Sequence, residues 1–410
     1  MQTLSPRLHR LGNGLAVAVE PMSGVETMAV GLYADVGARS EPAPYSGLAH
    51  MVEHMVFKGA GHRDARMIAE AAENCGGQLN AWTARDHTVY QARMLAEDWA
   101  LGLELVSDLV RAPILDAEEL VREKGVVLSE LGESHDTPDD IIHDHLQSVA
   151  FKNQALGRPV LGDEKSIAAI DRAALCHWVE DYYHPEGCVL AAAGKIDEDA
   201  FLKMAESRFG DWNKGHPLKI EKAHFIGGRY NDQRDSEQTH IALGFGGFAY
   251  HDPRSHALAL YASILGGGMS SRLFQRVREE QGLVYSIYSW TQAWVETGLL
   301  GIYCATDKED ADKALTLIRE IINHSLKTVT EEELQRAKAQ ARAGLLMGLE
   351  GVGPRCDHLA RQIQIHDRIV EPIEVASWIN SVSLEDILKV SQQALAGGEA
   401  LASVGDGLTL

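Results

Sequence analysis

Two histidines and a glutamate stand in one short run, His50-Met51-Val52-Glu53-His54, between Gly47 and Gly59. The order H-x-x-E-H reverses the H-E-x-x-H sequence of zinc-binding helices. Positions three and four apart are neighbours on a helix, so His50, Glu53 and His54 share one face. Two neutral imidazoles can hold a borderline-soft cation such as zinc, and a carboxylate beside them can take a proton from a metal-bound water. Leu48, Met51, Val52, Met55 and Val56 fill the other positions, so the helix is expected to be buried on most sides. Polar groups in that setting are costly unless paired or coordinated. The plainer alternative is a pair of part-buried histidines in register by chance. A third ligand would separate the two readings.

Residues 116–131 have helical composition and carry Glu123 and Glu130, two turns apart and so on one face. Glu130 lies among Val126, Val127, Leu128 and Leu131, a run in which an unpaired carboxylate would be expensive. Two histidines, this carboxylate and a water would form a catalytic rather than a structural zinc site. Taken alone, a glutamate on a helix reads as a solvated acid. His143 and His145 lie near Asp136, Asp139, Asp140 and Asp144, but two positions apart they point in different directions on a helix. A solvated helix start after Thr137-Pro138 is favoured there over a second metal site.

The elements that must position these residues can be read in order. Asn13-Gly14 marks a hairpin between 8–11 and 15–19. Thr27 to Val36 reads as a strand, and the His50 helix follows it. A helix over 63–75 stops at Gly76-Gly77, two strands cover 78–83 and 87–95, and amphipathic helices cover 96–111 and 116–130. Val189 to Gly194 reads as a buried strand, and residues 197–209 as a helix. The pattern then restarts: Thr239 to Phe245 matches the strand at 27–36, and His256 to Leu265 the His50 helix. Thr330-Glu331-Glu332-Glu333-Leu334 opens a helix as Asp116-Ala117-Glu118-Glu119-Leu120 does.

The expected fold is therefore α+β: two homologous α/β-sandwich units in tandem, each a mixed, largely antiparallel sheet flanked by helices. The expected division is 1–215 for a zinc-binding domain, 216–230 for a linker and 231–410 for a non-catalytic homologous domain. Aligned on the Glu-Glu-Leu triplets, Glu123 falls opposite Ala337 and Glu130 opposite Gly344. A purely structural role would give no reason to confine these acids to one copy.

Bulk properties narrow the function classes. A formal net charge of −21 argues against nucleic acid as a partner and would suit basic peptides, although solubility explains most of it. No run approaches the roughly 18 apolar residues of a membrane span, and the first residues lack a signal-peptide core. The five cysteines are scattered without metal-type spacing and read as reduced thiols, which suggests a cytoplasmic location.

At Gly47-Leu48-Ala49-His50-Met51-Val52-Glu53-His54-Met55-Val56-Phe57-Lys58-Gly59, Gly77-Gln78-Leu79-Asn80-Ala81-Trp82-Thr83 and Glu123-Lys124-Gly125-Val126-Val127-Leu128-Ser129-Glu130, the chain resembles the pitrilysin-type inverzincin metallopeptidases. Within these it is most similar to the mitochondrial processing peptidase-like bacterial subgroup, over essentially its whole length. Lys124, where arginine is common, and Ala60, where threonine often stands, are the small departures. The resemblance implies one Zn2+ per chain held by His50, His54 and Glu130, with Glu53 as general base on the zinc-bound water. It implies Glu123 as an additional acid that orients a ligand or moves a proton.

Residues 79–83 would form an edge strand near the metal helix, to which a peptide substrate could add as a further strand. The resemblance supports Asn80 and Ala81 in that role. It also gives Arg278 and Tyr285 the substrate backbone and the tetrahedral intermediate, a sensible task for a tyrosine hydroxyl. Gly266-Gly267-Gly268 invites a phosphate-loop reading, but no Gly-Lys-Ser/Thr ends it. The resemblance implies a zinc metalloendopeptidase forming half of a clamshell, its zinc site facing the Arg278/Tyr285 region of another subunit. A homodimer suffices, with a heterodimer as the alternative. A non-catalytic scaffold of the same fold is the competing function. Retention of both histidines, Glu53, Glu123 and Glu130 favours the enzyme, and a metal store would not need Glu53.

Overall fold

The computed structural model describes residues 5–215 and 220–408, so residues 216–219 of the expected linker lie outside the described residues. The chain forms two compact units, neither of them continuous in sequence.

The first unit comprises Met1–Leu131, Pro159–Ile220 and Met347–Glu371. Its strands are β1 (Arg7–Arg10), β2 (Ala16–Pro21), β3 (Thr27–Ala34), the short pair β4 (Gly59–Ala60) and β5 (Arg63–Asp64), β6 (Gln78–Thr83), β7 (Thr88–Leu95) and β8 (Cys188–Gly194). The main sheet runs β1-β2-β8-β3-β7-β6, with β2–β8 its one parallel pairing and β6 at a free edge. The Asn13-Gly14 turn joins β1 to β2 as the sequence suggests, with Gly14 at φ 100°.

Side chains alternate between the faces of a sheet. Val17, Val19, Met28, Val30 and Leu32 point to one face and pack with Leu103, Val106 and Phe201 from helices Trp99–Arg111 and Glu198–Phe209. Each such fully buried Val or Leu contributes about 1.5–3 kcal/mol. The opposite face carries Ala16, Ala18, Ala29, Ala191 and Ala193, whose small side chains let one helix, Val352–His366, lie close through Val352, Cys356, Leu359, Ala360 and Ile363. Polar contacts fix that helix in place: Arg355 donates to Glu20 at 2.6 Å, and Cys356 Sγ–H to the Ala191 carbonyl at 3.2 Å.

The second unit comprises Gly132–Arg158, Glu221–Leu346 and Pro372–Leu410. Strands β9 (Gly228–Asp232), β10 (Thr239–Gly247), β11 (Ser286–Ala293), β12 (Gly298–Thr306) and β13 (Ala400–Val404) are ordered β11-β12-β10-β13-β9, again with one parallel pairing, β13–β9. Strand for strand this repeats β6-β7-β3-β8-β2, so the duplication extends to the hydrogen-bonding pattern. Here too one face is alanine-rich: Ala242, Ala305, Ala400 and Ala402 pack with Ile142, Leu146 and Val149 of helix Pro138–Ala150.

These two helices account for the difference from the continuous division expected from sequence. Residues 132–158 belong with the second sheet and residues 347–371 with the first. Each sheet is apolar on both faces and needs a second cover, which arrives from the other half of the chain. The last residues of the expected linker, 228–230, are part of β9.

Candidate metal centre

The motif helix, Leu48–Val56, buries Leu48, Ala49, Met51, Val52, Met55 and Val56 and leaves His50, Glu53 and His54 on its remaining face. Gly47 starts it at φ 92°, where a Cβ would stand 2.6 Å from the Leu161 carbonyl oxygen. The buried Glu41 carboxylate accepts from the N–H groups of Gly47 at 2.9 Å and Ala49 at 2.8 Å. A negative group at that end satisfies orphan donors and suits the helix dipole.

The second helix, Ala117–Asp136, brings Glu123 and Glu130 to the same histidines. Glu130 Oε2 lies 3.8 Å from His50 Nε2 and 3.5 Å from His54 Nε2. One donor atom from each of the three residues falls within 4.8 Å of the others, and this is the one such cluster of histidine, cysteine and acid among the described residues. Bonds of about 2.0–2.2 Å to a tetrahedral zinc place its ligands roughly 3.4 Å apart. The residues therefore fit the metal. The rings of His50 and His54 meet edge to face at 4.5 Å.

The surroundings of Glu130 differ from the apolar setting expected from sequence. Its side chain is 38% exposed, and Val126 and Leu128 beside it point outward as well. Glu123 is the buried acid. Its Oε2 lies 3.0 Å from His54 Nδ1, and its Oε1 is 2.7 Å from Lys58 Nζ. A carboxylate facing Nδ1 calls for a proton there, which leaves Nε2 of His54 with its lone pair toward Glu130 and His50. His50 has no such partner, for its buried Nδ1 makes no hydrogen bond. Burial is the main cause that lowers the His50 pKa to about 4 and keeps that imidazole neutral, the form a metal requires. In the second unit Ala337 is buried, as its counterpart Glu123 is, and Gly344 is exposed. The two copies thus share the helix register but not the acids.

Glu53 faces the free edge of the first sheet. The Thr83 hydroxyl, on β6, donates to its Oε2 at 2.5 Å. Burial raises the Glu53 pKa, and the Thr83 bond opposes that shift. Asn80 and Ala81 lie on the same strand, with Asn80 exposed and its Oδ1 accepting from the Ala81 N–H at 3.0 Å.

Arg278 and Tyr285 belong to the second unit. The Arg278 guanidinium lies 4.6 Å from the Phe274 ring centre and 6.0 Å from that of Tyr285, a ring that is 75% exposed. His143 and His145 take separate partners, Tyr288 at 3.1 Å and Asp232 at 3.2 Å, and form no metal cluster. Their helix packs on a sheet through Ile141, Ile142 and Leu146 rather than standing in solvent.

Sequence reasoning did not single out Lys58, Thr83 or Glu41. Spacing could have suggested two of them. Lys58 is four residues beyond His54, and Thr83 is two beyond Ala81, on the same side of an extended strand. No local spacing leads to Glu41.

Comparison with known proteins points to one family. Residues 16–164 match the family model described as insulinase (peptidase family M16), and residues 169–341 the one described as peptidase M16 inactive domain. An uncharacterized zinc protease of Rickettsia felis is 33% identical, over 97% of this chain and 97% of that protein. The mitochondrial-processing peptidase subunit beta of Lentinula edodes is 32% identical, over 97% of this chain and 90% of that one. A solved protease structure from Helicobacter pylori superposes with a TM-score of 0.90 over 98% of this chain and 99% of that one, at 19% identity, and so shares the fold. No helix among the described residues is long and apolar enough to cross a membrane. With relatives above 30% identity along nearly its full length, the chain belongs to peptidase family M16.

Proposed function

We propose that this chain is a zinc-dependent endopeptidase acting on peptides or unfolded polypeptide segments. His50, His54 and Glu130 hold one zinc per chain, and Glu53 is the general base. The observation that carries this reading is the convergence of Nε2 of both histidines and Oε2 of Glu130 beside a carboxylate that is not one of the three. Zinc held there supplies a Lewis acid that lowers the pKa of a water and polarises a carbonyl. Glu53, part-buried and raised in pKa, accepts a proton and later delivers it to the leaving amine. Glu123 fixes the tautomer of His54, and Lys58 keeps Glu123 in place.

The free edge of β6 supports peptide binding by strand addition at Asn80 and Ala81, which is largely independent of sequence. Arg278 and Tyr285 hold the substrate backbone, and a homodimer in which each chain contributes both sets of residues is the working form. The experiment is metal analysis with peptide cleavage by untreated, chelated and zinc-restored protein. One zinc per chain, activity lost on chelation and regained with zinc are expected. Full zinc without cleavage of a mixed peptide library would favour a scaffold.

A further inference from the structure

The hydrogen-bonding sense of β6 decides which of its backbone groups are available. Ala84 N–H donates to the His87 carbonyl at 2.8 Å. In an antiparallel ladder the bonded pairs alternate, so with this register Gln78, Asn80 and Trp82 exchange bonds with β7. Leu79, Ala81 and Thr83 then turn their N–H and C=O groups to the free edge. One of these outward N–H groups is met by a side chain. That of Ala81 donates to Asn80 Oδ1 at 3.0 Å, and that of Thr83 is on the side of the strand from which its hydroxyl reaches Glu53. The Thr83 hydroxyl donates to the Glu53 carboxylate at 2.5 Å.

The two arrangements differ in what can displace them. Asn80 is exposed and offers a neutral acceptor on a rotatable side chain, which an incoming peptide carbonyl can replace. Glu53 comes from a buried helix and takes a hydroxyl donor from the strand itself. Hydrogen bonds to an ionised group are roughly twice as strong as neutral ones.

We infer that Thr83 is a positioning residue: from the edge strand its hydroxyl holds the Glu53 carboxylate against the sheet edge, and so ends peptide pairing at Ala81. The inference rests on the reading of Glu53 as base. A peptide strand paired at Ala81 meets Glu53 at the next outward position, about 6.6–6.8 Å further along. The register of the bound chain is thereby set against the base by backbone geometry, whatever the peptide sequence. A threonine that merely fills a strand position would have no such effect on turnover.

The test compares Thr83→Val, which keeps size and β-branching but lacks the hydroxyl, with Thr83→Ser, which keeps the hydroxyl. The probe is a quenched fluorogenic peptide that wild type cleaves. Zinc content, kcat and KM are measured, with the affinity of the chelated, metal-free protein for the same peptide. The valine variant is expected to keep one zinc per chain and wild-type peptide affinity, while kcat falls about 10–100-fold, the worth of one hydrogen bond to a charged group. The serine variant is expected to recover most of that loss. Wild-type kcat in Thr83→Val, or equal loss in both variants, overturns the positioning role and leaves the peptidase reading standing. A wild type that holds full zinc and cleaves no peptide defeats both.

Discussion

Glu123 Oε2 stands 3.0 Å from Nδ1 of His54, on the side of the ring opposite the Nε2 that faces Glu130. The motif helix thus sits between two acids with different work. Glu130, partly open to solvent, completes a donor set with both histidines. Glu123 is buried, with Lys58 on its other oxygen, and is poised to fix how one of those histidines presents itself.

Replacing Glu123 is therefore expected to weaken metal binding without removing a ligand. Loss of such a partner costs about 10–100-fold in metal affinity. In competition with a chromophoric chelator, Glu123→Ala should bind zinc at least tenfold more weakly than wild type. Glu123→Gln, which keeps an acceptor for Nδ1–H, should lie between. Unchanged affinity in the alanine variant would remove Glu123 from the site.

Glu41 acts on the same helix from its start. Its carboxylate takes two backbone N–H groups in a buried setting. Glu41→Ala leaves those donors without their acceptor, and about 1.5–3 kcal/mol of stability should be lost, as for hydrogen bonds to charged groups. Denaturant unfolding should show a lower midpoint with an unchanged slope.

Asp35, just beyond β3, gives a pH signature. Burial, with the charge of Asp86, raises its pKa to about 6, against Arg361, His87 and Arg39. The folded state thus holds this proton more tightly than the unfolded chain, where aspartate titrates near about 3.9. The group favours folding most below that value, and the benefit is lost as pH rises through about 6. Asp35→Asn should have little effect on stability at pH 4 and add about 1–3 kcal/mol at pH 8, the shift discounted for partial exposure. Melting temperatures across that range would show the divergence, and parallel curves would contradict it.

The exchanged helix makes a packing prediction. Ala360 is fully buried against an alanine-lined sheet face. Ala360→Leu forces extra volume into a closely packed layer and should cost about 1–3 kcal/mol. An unfolding midpoint equal to that of wild type would mean that the helix is not seated closely there.

Much of this was legible in the sequence because it is local or periodic. His50, Glu53 and His54 fall on one face by helical spacing alone, and the strand-like runs at 27–36 and 239–245 declare the repeat. Glu130 needed the contrast with Gly344 and the resemblance to a family, since nothing local distinguishes it from a solvated acid. The cover of the alanine faces was not legible. Val189 to Gly194 shows that both faces of its sheet are buried, but not that Val352–His366 crosses from the far end of the chain to bury one. Likewise strand spacing places Thr83 on the side of Ala81 but not its reach to Glu53, and no local spacing brings Glu41 to Gly47.

The most direct measurement is Glu53→Gln, which keeps the shape and removes the base. Zinc content should stay at one per chain, because Glu53 is not one of the three clustered side chains that could hold the metal. Cleavage of a fluorogenic peptide should fall about 10²–10⁴-fold, the usual worth of a positioned general base. A variant that binds zinc and still cleaves at the wild-type rate would contradict the account.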